Sequence, residues 1–378
     1  MTNITPPKRI LFVMLEFHRW ERAKAWWYGG VFGFEQAFLD NGVEVTLLPY
    51  FDKYERLPPG WVDFAKRAVG QKKFDQVWLY LLHTEYEPKL ANWLKSVAPI
   101  RVGMIPESLE YEAAEIHETP VLANYKNMAI TQAKQMELTH AMVVDECDIS
   151  CLNEIGIKAM YFPLFVPAAY INQKPIPTPI PKMLMPASIY GAERRALVAD
   201  PSLKNLLERG PLPDQLSPYP ALFDRLNEIL FSSYQFMEEP EVDAYISNLR
   251  RVREEIFKLF MAGMQQWAAI LNPPAYTKCF PSRVVEAMAT GRVVLTPEIS
   301  DAKPITKRLF TPNQDILFYQ RGDLSQIRTH VERLINDQAF ARQIGESACA
   351  KLLKFHTSEN RVRQALEFID SGTTPVFY

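Results

Sequence analysis

The first half of the chain alternates short apolar runs with stretches of helical periodicity, and this alternation constrains the fold more than any other feature. Ile10 to Leu15 is a continuous apolar run, typical of a parallel strand that is buried on both faces. Val43 to Leu48 is the next run, and Gly42 before it suits the left-handed position that ends a helix. Further strands are predicted at 76–82, 100–105, 141–144 and 158–162, and helices at 61–69, 88–97 and 148–155. Alternation at this spacing predicts a doubly wound parallel α/β sheet.

A proline-rich segment separates this half from the next. Seven prolines lie from Pro163 to Pro186, and such a segment is extended and stiff. Beyond it we predict a strand at 182–187, a long helical region at 197–264 and helices at 324–336, 338–355 and 358–369. We therefore expect Rossmann-like domains at 1–166 and 182–355, a linker at 167–181, and at 356–378 a C-terminal helix and tail that can pack back on the first domain. Two such domains face a central cleft, where ligands bind beyond the carboxyl ends of the strands.

The composition excludes several classes of protein. Of the 378 residues, 48% are hydrophobic and 23% charged, which is globular usage rather than that of a disordered or fibrous chain. The net charge of −2 argues against a dedicated nucleic-acid binder, which usually carries a basic patch. The four cysteines lack the spacing of a zinc site, and nowhere do 18 apolar residues run together. We therefore expect no metal site, no membrane span and a cytoplasmic location.

The segment from Phe280 to Pro297 carries the clearest chemistry. Pro281 halts the incoming chain, and Ser282 is a good N-cap for the helix that follows. Amides at the start of a helix attract an anion, and the helix dipole adds to this attraction. The amides expected to point at that anion belong to Arg283, Val284 and Val285.

Three side chains near this helix complete the expected site. Arg283 and Lys278 can add positive charge to a bound pyrophosphate. Glu286 lies one turn further in, where a carboxylate can accept hydrogen bonds from two hydroxyls of a ribose. The alternative is a capped amphipathic helix whose apolar face packs on the core, with no ligand at all.

The pattern from Ser282 to Thr296 resembles the donor-site helix of GT-B glycosyltransferases, most closely the family 4-like group in its spore-maturation-type branch. Downstream, the segments 315–319, 324–337 and 356–366 are also similar to that branch. The resemblance covers about 265–370 well and 1–165 at fold level only. It implies an α/β protein of the GT-B fold, with an N-terminal acceptor domain and a C-terminal donor domain. It also implies a nucleoside-diphosphate sugar of UDP or GDP type as donor substrate, with no separate cofactor.

The resemblance also implies roles for single residues. The family's glutamate at the position of Glu286 holds the ribose, and neighbouring amides hold the diphosphate. The turn at 190–194 resembles the first loop of the nucleotide domain, where Gly191 permits close approach of the backbone and Arg194 or Arg195 meets the phosphates. The family has a second glutamate eight positions before the ribose glutamate, and this chain has Lys278 there. A lysine can stabilise the leaving diphosphate but cannot replace a carboxylate that faces the sugar.

The acceptor side is expected at strand ends of the first domain. A transferase must orient the acceptor hydroxyl, with a base if the configuration inverts. The candidate catalytic residues are His18, His83 and Glu107. Gly29 and Gly30 can let the acceptor or a phosphate approach the backbone closely.

We therefore expect a metal-independent hexosyltransferase-like enzyme that moves a sugar to an unknown acceptor, with retention of configuration implied by the family. A glycan, lipid or small-molecule acceptor is favoured over a nucleic acid. Three alternatives stay open. They are a non-catalytic nucleotide-sugar or carbohydrate-binding protein on the same scaffold, a phage-type DNA-modifying glycosyltransferase, and a sugar-nucleotide epimerase.

Overall fold

The structure is a computed structural model of the chain. It describes residues 9–17, 33–52, 60–81, 88–172, 177–187, 189, 191–210, 238–274 and 278–378. The predicted acceptor-side residues His18, His83, Gly29 and Gly30 lie outside the described residues. The candidate site is therefore built from the remainder of the two domains.

The first half forms a parallel sheet of six strands. Its strands are β1 (Arg9–Phe17), β2 (Glu44–Asp52), β3 (Gln76–Tyr80), β4 (Ile100–Ile105), β5 (His140–Val143) and β6 (Lys158–Tyr161). They lie in the order β2-β1-β3-β4-β5-β6, and every adjacent pair is parallel. Every residue of β3 is buried, which explains why its sequence is an unbroken run rather than an alternation. The predicted doubly wound sheet is confirmed.

Six α-helices are described around this sheet. They are α1 (Phe34–Asp40), α2 (Trp61–Val69), α3 (Pro88–Val97), α4 (Ala113–Glu118), α5 (Tyr125–Gln135) and α6 (Ile149–Asn153). The helix predicted at 148–155 is shorter, because a 3-10 turn at Glu146–Asp148 precedes α6. We did not predict α4 or α5. No residue of α4 is buried, so its sequence has no apolar stripe that would indicate a helix.

The second half forms a parallel sheet of five strands. They are β7 (Ile180–Met185), β8 (Leu207–Arg209), β9 (Trp267–Leu271), β10 (Val293–Pro297) and β11 (Leu317–Tyr319). Their order is β11-β10-β9-β7-β8, which repeats the first five strands of the other sheet. The strand order therefore reverses between β1 and β3 and again between β7 and β9. In open parallel sheets, ligands bind in the crevice at such a reversal.

Two details of the second domain differ from the predictions. The strand predicted at 182–187 begins earlier and includes Pro181, because the ladder with β9 shifts register between Ile180 and Met183 and so tolerates a proline. The helical region predicted at 197–264 contains the short strand β8.

Seven α-helices are described in the second half. They are α7 (Ala192–Ala199), α8 (Glu239–Gln265), α9 (Ser282–Ala289), α10 (Pro304–Arg308), α11 (Leu324–Asn336), α12 (Gln338–Phe355) and α13 (Ser358–Ser371). None of the helices described in either domain combines the length and the apolar composition that crossing a bilayer requires.

The C-terminal helix returns to the first domain. Helix α13 packs against α1, and its start is joined to the end of the first domain by two backbone hydrogen bonds. The Val166 amide donates to the His356 carbonyl at 3.2 Å, and the Ser358 amide donates to the Val166 carbonyl at 3.2 Å. The chain therefore crosses between the domains twice, once at the linker and once before α13.

Candidate functional site

A cavity of about 380 Å³ lies between the two domains, at the carboxyl ends of β4, β5, β9 and β10. The two walls carry opposite charge, apart from Glu298 on the second wall. The acidic residues of the first wall are Glu110, Glu112, Asp145 and Asp148, and the basic residues of the second are Lys278, Lys303 and Arg321. This is the position at which paired parallel sheets hold their ligands.

The end of β9 forms a polar wall of the cavity. Asn272 follows the strand directly, and its side-chain amide donates to the Thr296 hydroxyl of β10 at 2.9 Å. The Asn272 side-chain carbonyl accepts from the guanidinium of Arg283 at 3.1 Å. Arg283 of α9, one of the predicted anion-binding residues, thereby contacts a residue that lines the cavity.

Asp145 joins the two walls. Its carboxylate lies 2.5 Å from the Lys303 ammonium of the second domain, and both side chains are nearly buried. It also accepts from the Ser108 hydroxyl at 2.6 Å. Lys303 donates in addition to the Lys278 carbonyl at 2.8 Å. Asp145 is therefore held as a paired carboxylate.

Asp148 lines the same cavity in a different electrostatic setting. It is 3% exposed, and the Leu109 amide donates to its carboxylate at 3.1 Å. Burial, together with the nearby charge of Asp145, raises the pKa of Asp148 to about 7. A cavity carboxyl with this pKa can take up or release a proton at neutral pH. We did not single it out from the sequence, although two aspartates within four residues of the end of a predicted strand were the available signal.

Lys278, which is predicted to add positive charge to a bound pyrophosphate, pairs in this structure with carboxylates of the first domain. Its ammonium pairs with Glu115 and lies 3.5 Å from Glu112, both in the first domain. Its amide donates to the Ser108 hydroxyl at 2.8 Å. In this structure the lysine contributes its charge to the contact between the domains.

Helix α9 differs from the predicted capping in two respects. The N-cap is Pro281, and Ser282 is the first helical residue, with no side-chain cap. The Val284 amide donates to the Pro281 carbonyl at 2.9 Å, and the anion contact of the amides of Arg283, Val284 and Val285 stays a prediction. The side chains of Val284 and Val285 are buried among apolar neighbours. Glu286 is 3% exposed and does not line the described part of the cavity.

A smaller cavity of about 170 Å³ lies beside the reversal of strand order between β7 and β9. Gly191, at φ 76°, and Arg194, for which the resemblance implies a role at the phosphates, both line it. Arg194 is 1% exposed and donates to the Pro274 carbonyl at 2.7 Å. The Ala192 amide, which begins α7, donates to Glu118 of the first domain at 3.0 Å. A carboxylate of the other domain thus lies where the sequence predicts an anion.

Glu107, the described member of the predicted catalytic set, follows β4 and is half-buried. It is not among the described residues that line the cavity, whereas its neighbour Ser108 contacts Asp145 there. In the described part of the chain, no group of three or more His, Cys, Asp or Glu side chains could hold a metal ion.

Comparison with known proteins gives matches to a family and to solved structures. Residues 244–367 match a family described as glycosyl transferase-like. A search of curated protein sequences finds no significant match.

The solved structures that resemble the chain align over nearly its whole length. Sucrose-phosphate synthase from Thermosynechococcus elongatus aligns with a TM-score of 0.57 at 11% identity, covering 96% of this chain and 98% of that one. The Anabaena protein HepE in complex with UDP-glucose aligns with a TM-score of 0.54 at 11% identity, covering 96% and 99%. An alpha-glucosyltransferase in complex with UDP and a 13-mer DNA aligns with a TM-score of 0.50 at 12% identity, covering 96% and 98%. At such identities the likeness shows the fold, and it confirms the predicted GT-B architecture.

Proposed function

We propose that this chain is a glycosyltransferase that takes a sugar from a nucleoside diphosphate and transfers it to an acceptor bound against the first domain. The observation that carries the proposal is the cavity between the carboxyl ends of two parallel sheets, with cationic side chains on the second-domain wall. Two further findings support it. The family match lies mostly within the same domain, and two of the similar structures hold UDP or UDP-glucose. UDP is therefore the first nucleotide to test.

The donor would lie at the reversal of strand order in the second domain. Gly191, Arg194 and Arg321 line this crevice, and Arg283 contacts Asn272 at the end of β9. Basic groups in a cleft stabilise the charge that develops on a departing diphosphate. Metal independence belongs to the proposal, as does the ribose contact of Glu286 that the family resemblance implies.

The acceptor would lie on the acidic wall. Asp148 is the described carboxyl best suited to orient an acceptor hydroxyl, because it lines the cavity and its pKa is about 7. If the configuration inverts, Asp148 takes the proton of that hydroxyl. If it is retained, as the family 4-like resemblance implies, the departing diphosphate takes the proton, and Asp148 only accepts a hydrogen bond. Proton NMR of the product anomer separates the two courses.

The charge of this wall also bears on the class of acceptor. Glu110, Glu112 and Asp148 would repel a phosphate backbone. A glycan, a lipid headgroup without net negative charge or a small hydroxylated molecule therefore fits better than DNA.

The first experiment is a thermal-shift and calorimetric titration with UDP, GDP, ADP, dTDP and CMP, with and without EDTA. A ligand at 100 times its dissociation constant adds about 2.7 kcal/mol to the folded state, which gives a measurable rise in midpoint. We expect one nucleoside diphosphate to bind, and EDTA to leave the binding unchanged. Absence of binding by every nucleotide would refute the proposal.

A pair of variants locates the binding. Arg283→Gln removes a charge beside the cavity and is expected to weaken binding about tenfold, the typical loss of a charged hydrogen bond. Arg342→Gln removes an exposed charge on α12 of the same domain and is expected to have no effect. Binding that falls equally in both variants would place the nucleotide elsewhere.

A further inference from the structure

Three carboxylates of the first domain follow one another at helical spacing. Glu112 is the N-cap of α4, Glu115 lies in its first turn and Glu118 is its last residue. Residues three apart on a helix lie on the same face, so these carboxylates form a row. None of the residues of α4 is buried, so packing does not explain why the helix lies here.

Each carboxylate of the row pairs with a group of the second domain. Glu112 accepts from Arg321 at 3.1 Å. Glu115 pairs with Lys278, and these two side chains are only 14% and 18% exposed. Glu118 accepts from Arg195 at 3.0 Å. These pairs span the cleft, because α4 belongs to one sheet and its partners follow strands of the other.

Glu118 makes a contact of a further kind. Besides Arg195 it accepts from the Ala192 amide, at the start of α7, at 3.0 Å. A Cβ at Gly191 would lie 3.6 Å from its second oxygen, so the carboxylate lies in van der Waals contact with the loop. A backbone amide at a helix start with an arginine beside it is the environment that a phosphate oxygen also prefers.

We propose that the row formed by Glu112, Glu115 and Glu118 is an internal competitor of the donor diphosphate, which must displace these carboxylates from Lys278, Arg321 and the start of α7 in order to bind. The inference rests on the proposed function for the identity of the ligand. Without donor, the acidic row holds the two domains together through its ion pairs. With donor, the diphosphate takes over the cations and the carboxylates are released toward the acceptor side of the cleft.

The competition arises because the carboxylates and the diphosphate need the same donors in a narrow cleft. Both partners present oxygen anions to the same ammonium, guanidinium and amide donors, and two anions in one such place repel each other at short range. The ligand binds only to molecules in which the carboxylates have separated from their cationic partners. Its apparent affinity is therefore its intrinsic affinity multiplied by the fraction of molecules in that state. Removing the negative charge of the row therefore strengthens binding without any change in the groups that touch the ligand.

The test compares two triple variants. The α4 triple variant is Glu112→Gln/Glu115→Gln/Glu118→Gln, which keeps side-chain shape and removes the charge. The control triple variant is Glu44→Gln/Glu137→Gln/Glu154→Gln, which removes the same charge from the same domain. Glu137 pairs with Lys95 within the first domain, and Glu44 and Glu154 are exposed and do not line either cavity. Circular dichroism and the thermal midpoint verify that both variants fold.

The probes are UDP and inorganic pyrophosphate, measured by isothermal titration calorimetry. We expect the α4 triple variant to bind both probes about tenfold more tightly than the wild type, as when the competitor occupies about nine-tenths of the molecules. The control triple variant should match the wild type. Small-angle X-ray scattering of the ligand-free proteins should show a larger radius of gyration for the α4 triple variant alone.

The outcomes separate this inference from the proposed function. If UDP binds the wild type and both variants with equal affinity, the competition is refuted and the donor site stands. If pyrophosphate binds the α4 triple variant more tightly but no nucleotide binds any of the proteins, the competition stands and the proposed function falls. If neither pyrophosphate nor any of the five nucleotides binds any of the proteins, both are refuted.

Discussion

Lys303 of the second domain and Asp145 of the first form an ion pair at 2.5 Å inside the cleft, with side chains only 11% and 4% exposed. Asp145 also accepts from Ser108, and Lys303 also donates to the Lys278 carbonyl, so the pair has further hydrogen bonds on both sides. A buried pair of this kind adds little over an apolar pair of the same size, but loss of one member leaves an uncompensated charge. The contact between the domains is therefore sensitive to a substitution of either residue alone.

We predict that Asp145→Asn lowers the free energy of unfolding by about 3 kcal/mol, because it leaves the Lys303 ammonium buried without its counter-charge. The double variant Asp145→Asn/Lys303→Met should recover most of this loss. Urea denaturation of the two variants measures both quantities.

The pair Lys307 and Asp301 provides the control for this experiment. It lies in the same segment as Lys303, but its side chains are 54% and 91% exposed. Asp301→Asn should leave stability almost unchanged, as is usual for exposed pairs. Equal losses for Asp145→Asn and Asp301→Asn would contradict the account of the buried pair.

The carboxyl of Asp148 should make stability depend on pH in a direction opposite to that of most acids. Its pKa is about 7 in the folded protein and near 3.8 in the unfolded chain. Between these values the folded state binds more protons than the unfolded state, so this group lowers stability as pH rises. The charges that face it are Asp145, Glu110 and Lys303.

Asp148→Asn is therefore expected to stabilise the fold at alkaline pH. One pKa unit corresponds to about 1.4 kcal/mol, so the shift from 3.8 to about 7 sets an upper limit of about 4 kcal/mol on the gain at pH 8, and the gain shrinks toward zero at pH 4. Urea denaturation of wild type and variant at pH 4, 6 and 8 measures the difference. A variant that is no more stable than the wild type at pH 8 would show that the buried carboxylate carries no penalty.

Glu286 is the sharpest test of the family resemblance. If its carboxylate holds the ribose, Glu286→Ala should weaken binding of the nucleoside diphosphate by about tenfold or more, because a charged hydrogen bond is lost. Calorimetry with the nucleotide identified by thermal shift measures this. Glu346→Ala, at an exposed position of α12, is the control and should leave binding unchanged. Unchanged affinity for both variants would remove Glu286 from the donor site.

Gly345 has a packing role that its helix alone does not show. A Cβ at this position would lie 2.2 Å from the Gly291 carbonyl oxygen, just beyond the end of α9. Alanine normally stabilises a helix interior relative to glycine by about 1 kcal/mol. Here we predict that Gly345→Ala lowers the free energy of unfolding by about 2 kcal/mol, because overpacking forces α9 and α12 apart.

The adjacent residue supplies the comparison for this variant. Glu346→Ala lies one position further along α12 and is exposed, so it should be neutral or slightly stabilising. Thermal denaturation of both variants measures the contrast. A Gly345→Ala protein as stable as the wild type would mean that the two helices can separate at little cost.

Local pattern was sufficient for most of the strands and for the last three helices. The strand β4 and the helices α11 and α12 begin and end at the predicted residues. Their apolar residues follow the pattern of a buried strand or of an amphipathic helix over the whole length of the element. Helix α4 was missed for the converse reason, since it buries no side chain and is held by charged pairs. The strand β8 was missed because it has only three residues.

The candidate site was predictable in part. The loop at Gly191 and the start of α9 were identified from local signals, namely the glycine, Pro281 and the nearby basic residues. Glycine and proline restrict the conformation of the backbone next to them, so their effect can be read from the sequence. The partners of Lys278 and Lys303 were not, since each is paired with a carboxylate more than 150 residues away in the chain. Such pairs leave no trace in local spacing.

The sequence by itself determined the two parallel sheets, their division at the proline-rich segment and the helix that begins near Ser282, because hydrophobic period and backbone restriction act over a few residues. Only the tertiary structure decided which charges meet in the cleft. It placed Glu118 at the start of α7 and Asp148 in a buried cavity beside Asp145. These relationships depend on which segments, far apart in the chain, lie close together and bury each other's side chains. Burial makes the charge of a carboxylate costly unless it is paired, and for this reason these carboxylates affect both folding and binding.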